Sequence, residues 1–370
     1  MYRNRREFLR LLGLGSAAFF AGLSDVDAPS AKERENSLVY RMGFFVAKGK
    51  SDPVLDSDLE NADAIRLEFE RRFNAATNGR VILETSPITI VEYEDFDKRI
   101  LTERRFDAMA TGTNAASLIS EYMKQRNPHD EWDLVTMIDA MNVHEASHIG
   151  TSHLKIRHPY GTFRYDEKSD LSMYLAQRVL DYAEVPSKRI NGITFFQSLP
   201  SLRPGLNNPQ RDKDKNVVTL LHETGHEWVA YVDLKDPMGL VGLPEAIKYG
   251  DMTPMFVNKR DHYRENQFLE CDIMRSTGGV QSLEWQQEGD RYKYGIPNDN
   301  GTHDKMWERA LHHPYTNLTL YLMGALKRGE VGPLHIIKPD NPTLNDWYSF
   351  GVEPGSFGKS IPFSIDDINL

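Results

Sequence analysis

Apolar and polar positions along this chain follow two periods, and each change of period marks an element. From Asp58 to Thr77, Ala62, Ile65, Phe69, Phe73 and Ala76 recur at helical spacing, and Asn78-Gly79 stops the run. Arg80 to Val91 then alternates with many β-branched residues, which predicts a strand. Asp133 to Met141 is strongly apolar but too short for its period to choose between a buried strand and a buried helix. Asp170 to Ala183 is helical by pattern, and Ile190 to Phe196 reads as a strand. Between 201 and 216 the chain turns polar, with Pro204, Pro209 and the run Arg211-Asp212-Lys213-Asp214-Lys215, which predicts a loop. Val217 to Val232 resumes the 3.6 period as an amphipathic helix, with no stop signal in the residues after His226. Neither an internal repeat nor a low-complexity tract interrupts this order. Strands before residue 200 and helices after it predict an α+β chain with a lobe boundary near that point.

Composition adds limits. The chain has 370 residues, 40% apolar and 26% charged, enough to bury a core in one large domain or two lobes around a cleft. No stretch after the N-terminus reaches the roughly 18 consecutive apolar residues of a membrane helix, so no membrane span is expected in the mature protein. The formal charge of −10 is spread along the chain and basic residues form no stripe, which argues against nucleic acid as a partner. The first 28 residues differ from the rest. Arg5-Arg6-Glu7-Phe8-Leu9-Arg10 precedes a short apolar run, Leu11 to Leu23, and Val26 and Ala28 suit a cleavage site. They resemble a bacterial Tat export signal, which implies a periplasmic or secreted protein exported in its folded state. Residues 29–37 read as a solvated linker. With Cys271 as the single cysteine, no internal disulfide can form, and stability falls to the core and a metal.

The metal reading rests on His222-Glu223-Thr224-Gly225-His226. On a helix, His222 and His226 lie one turn apart on one face, so two imidazoles can meet one ion. Zinc takes neutral imidazole nitrogens at about 2.0–2.1 Å and keeps a coordination position open for water in a catalytic site. Glu223 follows the first histidine and can reach that water without binding the metal, as a general base. A second copy of the pattern, His144-Glu145-Ala146-Ser147-His148, follows an ambiguous apolar run and meets Gly150-Thr151-Ser152 almost at once. The helical setting favours the later copy. The rival is a site of His144 and His148 with His153 or His158. Val229 and Val232 stand where a metzincin would continue its pattern, so a third ligand must come from farther along. His262 is the first choice for it, with Glu265 and Glu245 as glutamate alternatives.

His-Glu-Thr-Gly-His-Glu-Trp at 222–228, His262-Tyr263, Asp272-Ile273-Met274, Tyr315, Leu320-Tyr321-Leu322-Met323-Gly324 and Glu330-Val331 together resemble a group of secreted bacterial zincin-type peptidases. Upstream, Ala75-Ala76-Thr77-Asn78-Gly79-Arg80 looks like the helix-to-strand turn of the same group. The resemblance implies a zincin-like fold: an N-terminal lobe with a twisted mixed sheet and the active-site helix, then a mainly helical C-terminal lobe. It implies a Zn2+ cofactor, a peptide or protein substrate laid along an edge strand, and His262 as a ligand. Ile190 to Leu199 is the nearest candidate for that edge, and Met274 is a candidate for the backbone turn beneath the metal. Glu227 departs from the simplest pattern and is expected to face solvent. Tyr263, Tyr315, Tyr321 and His312-His313 are available as oxyanion partners.

The expected organisation is a signal at 1–28, a linker at 29–37, an N-terminal α+β lobe at 38–200, the active-site helix and C-terminal lobe at 201–345, and a tail at 346–370. The expected activity is zinc-dependent peptide hydrolysis outside the cytoplasm. The rivals are an inactive zincin-type binding protein and a different exported metalloenzyme built on His144 and His148.

Overall fold

The computed structural model of the chain describes residues 37–50, 52–93, 132–140, 152–155, 192–205, 209–229, 233–234, 272–275, 284–295, 310–340, 343–345, 349–351 and 355–369. The export signal expected at 1–28, nearly all of the linker expected at 29–37, the helix expected at 170–183 and the motif at 144–148 lie outside these residues.

Strand β1 (Leu38–Gly49) is the axis of the first layer. Its run Met42-Gly43-Phe44-Phe45-Val46-Ala47 has no amphipathic alternation because both faces are covered. Met42, Phe44 and Val46 point into the main core, while Phe45 is fully buried and meets Trp132 edge-on. Helix α1 (Asp56–Ala76) follows, and its stripe Ala62, Ile65, Phe69, Phe73, Ala76 is buried as the period requires. Each such phenylalanine contributes about 1.5–3 kcal/mol on leaving water. Beyond the helix, Asn78 and Gly79 adopt φ of 52° and 66°, a left-handed turn that asparagine and glycine tolerate. The side chains of Asn74 and Thr77 then bond backbone groups of Leu83 and Val81, which starts β2 (Val81–Thr85) beside the helix it came from.

The strand expected over 80–91 is two strands, β2 and β3 (Thr89–Tyr93), both parallel to β1. Ser86-Pro87-Ile88 interrupts it. Proline cannot donate to a ladder, and the Ser86 hydroxyl accepts the Phe44 N–H that the gap would leave unpaired. The ambiguous run at 133–141 is a strand, β4 (Leu134–Asp139), parallel to β1 and buried along most of its length. Strands β5 (Ser152–Lys155) and β6 (Gly192–Ser198) complete the order β2-β1-β4-β6-β5, with β3 also on β1. Only β5 runs antiparallel. The edge expected at 190–199 is therefore an interior strand, paired on one side with β4 and on the other with β5.

A short 3-10 turn, Leu199–Leu202, leads to helix α2 (Pro209–Gly225). This helix begins in the segment expected to be a loop and ends before the expected Val232. Pro209 suits a first helical position, where an N–H has no partner in any case, and the Asp212 carboxylate accepts the Gly205 N–H just before the helix. The polar residues Pro209 to Asn216, about two turns, carry no apolar period, so the pattern reads there as a loop. Helices α1 and α2 pack against each other on one face of the sheet.

Beyond 229, β7 (Asp233–Leu234) pairs with the far C-terminal β14 (Ile368–Asn369). β8 (Glu284–Glu288), β9 (Arg291–Gly295), β10 (Leu334–Pro339) and β13 (Phe357–Phe363) form an antiparallel sheet in the order β10-β13-β9-β8. β11 (Thr343–Asn345) and β12 (Ser349–Gly351) form a hairpin, and helix α3 (Asn317–Leu322) is a single short helix. Where a mainly helical lobe was expected, the described residues after 229 hold more strand than helix. One apolar core holds residues from both sides of 200, from Met42 through Leu221 to Ile336 and Phe363. Among the described residues, no helix is long and apolar enough to cross a membrane.

On the face of α1, Glu68 receives the Arg71 guanidinium through both oxygens and Arg72 Nε through one of them. Burial works to raise its carboxyl, but the two arginines win and hold it at about 2. A carboxyl held below its unfolded value, near 4.3, adds stability that is complete above that value and lost as pH falls towards 2. Denaturant unfolding between pH 5 and about 2 is expected to show a shallower acid-side loss in Glu68→Gln than in the parent chain.

Candidate metal centre

Helix α2 delivers His222 and Glu223 in its last turn, and the chain tightens directly after them. The N–H groups of His226, Glu227 and Trp228 donate to carbonyls three residues back rather than four. Gly225 sits at this tightening without a left-handed φ. Its role is space: a Cβ there would overlap the Met274 sulfur, which lies against the helix end. His226 stands in the turn, yet its ring stays beside that of His222. The ring centres are 4.8 Å apart and nearly perpendicular, at 85°. Two imidazoles on one tetrahedral ion, each bound at about 2.0–2.1 Å, have centres roughly 5 Å apart.

His222 is buried, and its Nδ1 lies 3.0 Å from the Ile273 carbonyl oxygen. A carbonyl can only accept, so Nδ1 carries the proton and donates it. Burial lowers the ring to about 4, against the raising effect of that hydrogen bond, so the imidazole is neutral. In a neutral ring with the proton on Nδ1, the free lone pair belongs to Nε2. That is the state a metal ligand needs. Glu223 is half-buried, and burial pushes its carboxyl up to about 8.

The turn that holds His222 is itself held. Residues Ile273–Arg275 form a 3-10 turn preceded by Asp272, which is 1% exposed. One Asp272 oxygen accepts the Met274 N–H, and the other accepts the Thr316 N–H and the hydroxyls of Thr316 and Thr319, each at 2.7 Å. Burial raises this carboxyl while the hydrogen bonds pull against it. Between those threonines' segment and α2, the Tyr315 hydroxyl donates to the Leu221 carbonyl at 2.5 Å, and its phenol is pushed well up by burial and by Asp272.

These contacts dispose of several expectations. Tyr315 is a buried prop of the helix rather than an exposed oxyanion partner. Arg72 donates to His312 Nδ1, which ties that histidine to α1. Glu227 does not face solvent: it is 7% exposed, because the tight turn after Gly225 swings it inward. It lies close enough to Tyr40 that its charge adds to the burial raising that phenol, and Trp228 beside it packs edge-on against Tyr40. Among the described residues, no third His, Cys, Asp or Glu joins His222 and His226 in a cluster. His262, Tyr263, Glu265 and Glu245 lie outside the described residues, as do His144, His148 and His158. His153 falls at a β5 register position opposite Thr194.

Sequence reading passed over Asp272, Thr316 and Thr319 as chemistry. The available signal was the spacing of the two threonines, which puts both hydroxyls on one face of a helical start. Nothing in the sequence linked them to an aspartate 44 residues earlier.

No protein-family model matches the chain, and no curated protein matches it significantly. A solved structure of wild-type OgpA from Akkermansia muciniphila aligns over 94% of this chain and 98% of that one, at 11% identity and a TM-score of 0.27. A likeness that slight carries no argument about fold or chemistry.

Gly225→Ala must displace the buried Met274 sulfur or shift the helix end, an overpacking that costs about 1–3 kcal/mol. Chemical denaturation is expected to show that loss, and an unchanged midpoint would mean that Met274 yields freely.

Proposed function

We propose that the chain is an exported zinc metallopeptidase in which His222 and His226 hold the ion and Glu223 is the general base. The observation that carries the reading is the pair of imidazoles 4.8 Å apart, one of them held by the Ile273 carbonyl as the tautomer protonated on Nδ1. The donor chemistry fits zinc: two imidazole nitrogens from one helix end, with a glutamate between them that is not needed as a ligand. His262 is the proposed third ligand, with Glu265 and Glu245 behind it.

When bound, zinc supplies Lewis-acid polarisation of a peptide carbonyl and makes water more acidic. The residues supply the rest. His222 and His226 present nitrogen lone pairs, and the Ile273 carbonyl keeps the first ring from turning. Glu223 takes a proton from the attacking water onto a carboxylate oxygen. It then returns that proton to the amine nitrogen as the carbon–nitrogen bond breaks, leaving a carboxylic acid and a free amine. Strand β5 is the antiparallel edge beside β6 and α2, and it is the proposed resting place of an extended substrate. The Tat-like segment at 1–28 supports action in the periplasm or outside the cell.

Elemental analysis of the purified chain is expected to find one zinc, and none after His222→Ala with His226→Ala. Glu223→Gln is expected to keep the zinc and lose about 100-fold or more of peptide cleavage against a broad peptide library. Zinc retained by the double variant, or cleavage untouched by Glu223→Gln, would rule the reading out.

A further inference from the structure

We propose that Asp272 is a positioning residue for His222, setting how tightly the centre holds its metal; this rests on the metallopeptidase reading above. A buried carboxylate is costly unless donors surround it. Here four donors converge on it, and only an acceptor with two oxygens can take them all: the Met274 N–H on one oxygen, the Thr316 N–H and two threonine hydroxyls on the other. The effect is to bind the 272–274 turn to the start of α3. Ile273 is fixed on both sides: its N–H donates to the Pro314 carbonyl at 3.2 Å, and the Met274 N–H, in the same peptide plane as the Ile273 carbonyl, donates to Asp272. Its own carbonyl is thereby aimed at His222 Nδ1.

The chain of influence has three links: the Asp272 carboxylate orients the Ile273 peptide, the Ile273 oxygen holds the Nδ1 proton, and the Nδ1 proton leaves Nε2 as the donor nitrogen. Asp272 touches neither substrate nor reacting atoms. The same turn also lays Met274 against Gly225, so the carboxylate governs two contacts of this segment with the end of α2. Groups of this kind behind a metal-binding histidine are worth about 10–100-fold in metal affinity.

The test uses the full chain loaded with zinc and with cobalt. In Asp272→Asn an amide NH2 replaces one acceptor oxygen and meets donors. Competition against a chromogenic chelator, well below the melting temperature, is expected to show zinc held about 10-fold or more weakly. The visible absorption of the cobalt-loaded protein is expected to shift as the His222 ring loses its aim. Asp58, a second buried carboxylate, is bound instead to Arg203. Asp58→Asn therefore serves as the control that lowers the melting temperature and leaves both metal readouts in place. Thr319→Val removes one donor and keeps the carboxylate; a smaller loss of affinity is expected, restored in Thr319→Ser. Should Asp272→Asn fail to fold, the Thr319 pair decides. Wild-type affinity with an unshifted cobalt spectrum in folded Asp272→Asn, or in Thr319→Val where that pair decides, overturns the proposal and leaves the peptidase reading standing. A parent chain that takes up no zinc overturns both.

Discussion

The bond from His222 Nδ1 to the Ile273 carbonyl is the constraint around which this corner of the protein is arranged. It requires that the last turn of α2 and a three-residue turn from a distant part of the chain arrive at hydrogen-bond distance, with the carbonyl in line. Each partner is braced separately. The helix end is held by the Tyr315 hydroxyl on the Leu221 carbonyl, and the turn by Asp272 and by Met274 packed on Gly225. Loosening either brace spoils the alignment, since a hydrogen bond weakens steeply once its angle closes.

Placing so much polarity inside a core is expensive, and the arrangement of partners reflects that. His222, Asp272, Thr319 and Glu227 are all buried in or beside the cluster that contains Phe69, Phe73, Leu221 and Tyr315. A domain holds only about 5–15 kcal/mol in reserve, so unsatisfied groups at this density would unfold it. The carboxylate of Asp272 is met by four donors, while His222 is neutral. The sheet supports this from below: β1 is buried from Met42 to Ala47 and β4 from Leu134 to Ile138, and α1 and α2 lie together on the face where Met42, Phe44 and Val46 project.

Some of this was legible in order along the chain. The α1 stripe and its Asn-Gly stop follow from a period of 3.6 and from the φ values that those two residues tolerate. The His222, Glu223, His226 spacing was legible as a face. Other features were not. β1 has no alternation to read because both its faces are covered, and the start of α2 has no apolar period because its first turns are charged. The end of α2 was hidden in a glycine whose meaning is the sulfur of a residue 49 positions on, Met274.

Sequence alone determined the spacing of His222, Glu223 and His226, whereas α2 ends at Gly225 and only the structure shows that the His226 ring still lies beside that of His222. Sequence also determined the stop after α1 and the apolar stripe that buries it. Tertiary structure alone decided which nitrogen of His222 carries the proton, since a tautomer is chosen by whatever carbonyl meets the ring, and Ile273 lies 51 residues away. It likewise decided that Glu227 turns inward, that Tyr315 is a prop, and that β5 rather than β6 is the edge. Those outcomes depend on distant segments meeting, and no local period encodes that meeting.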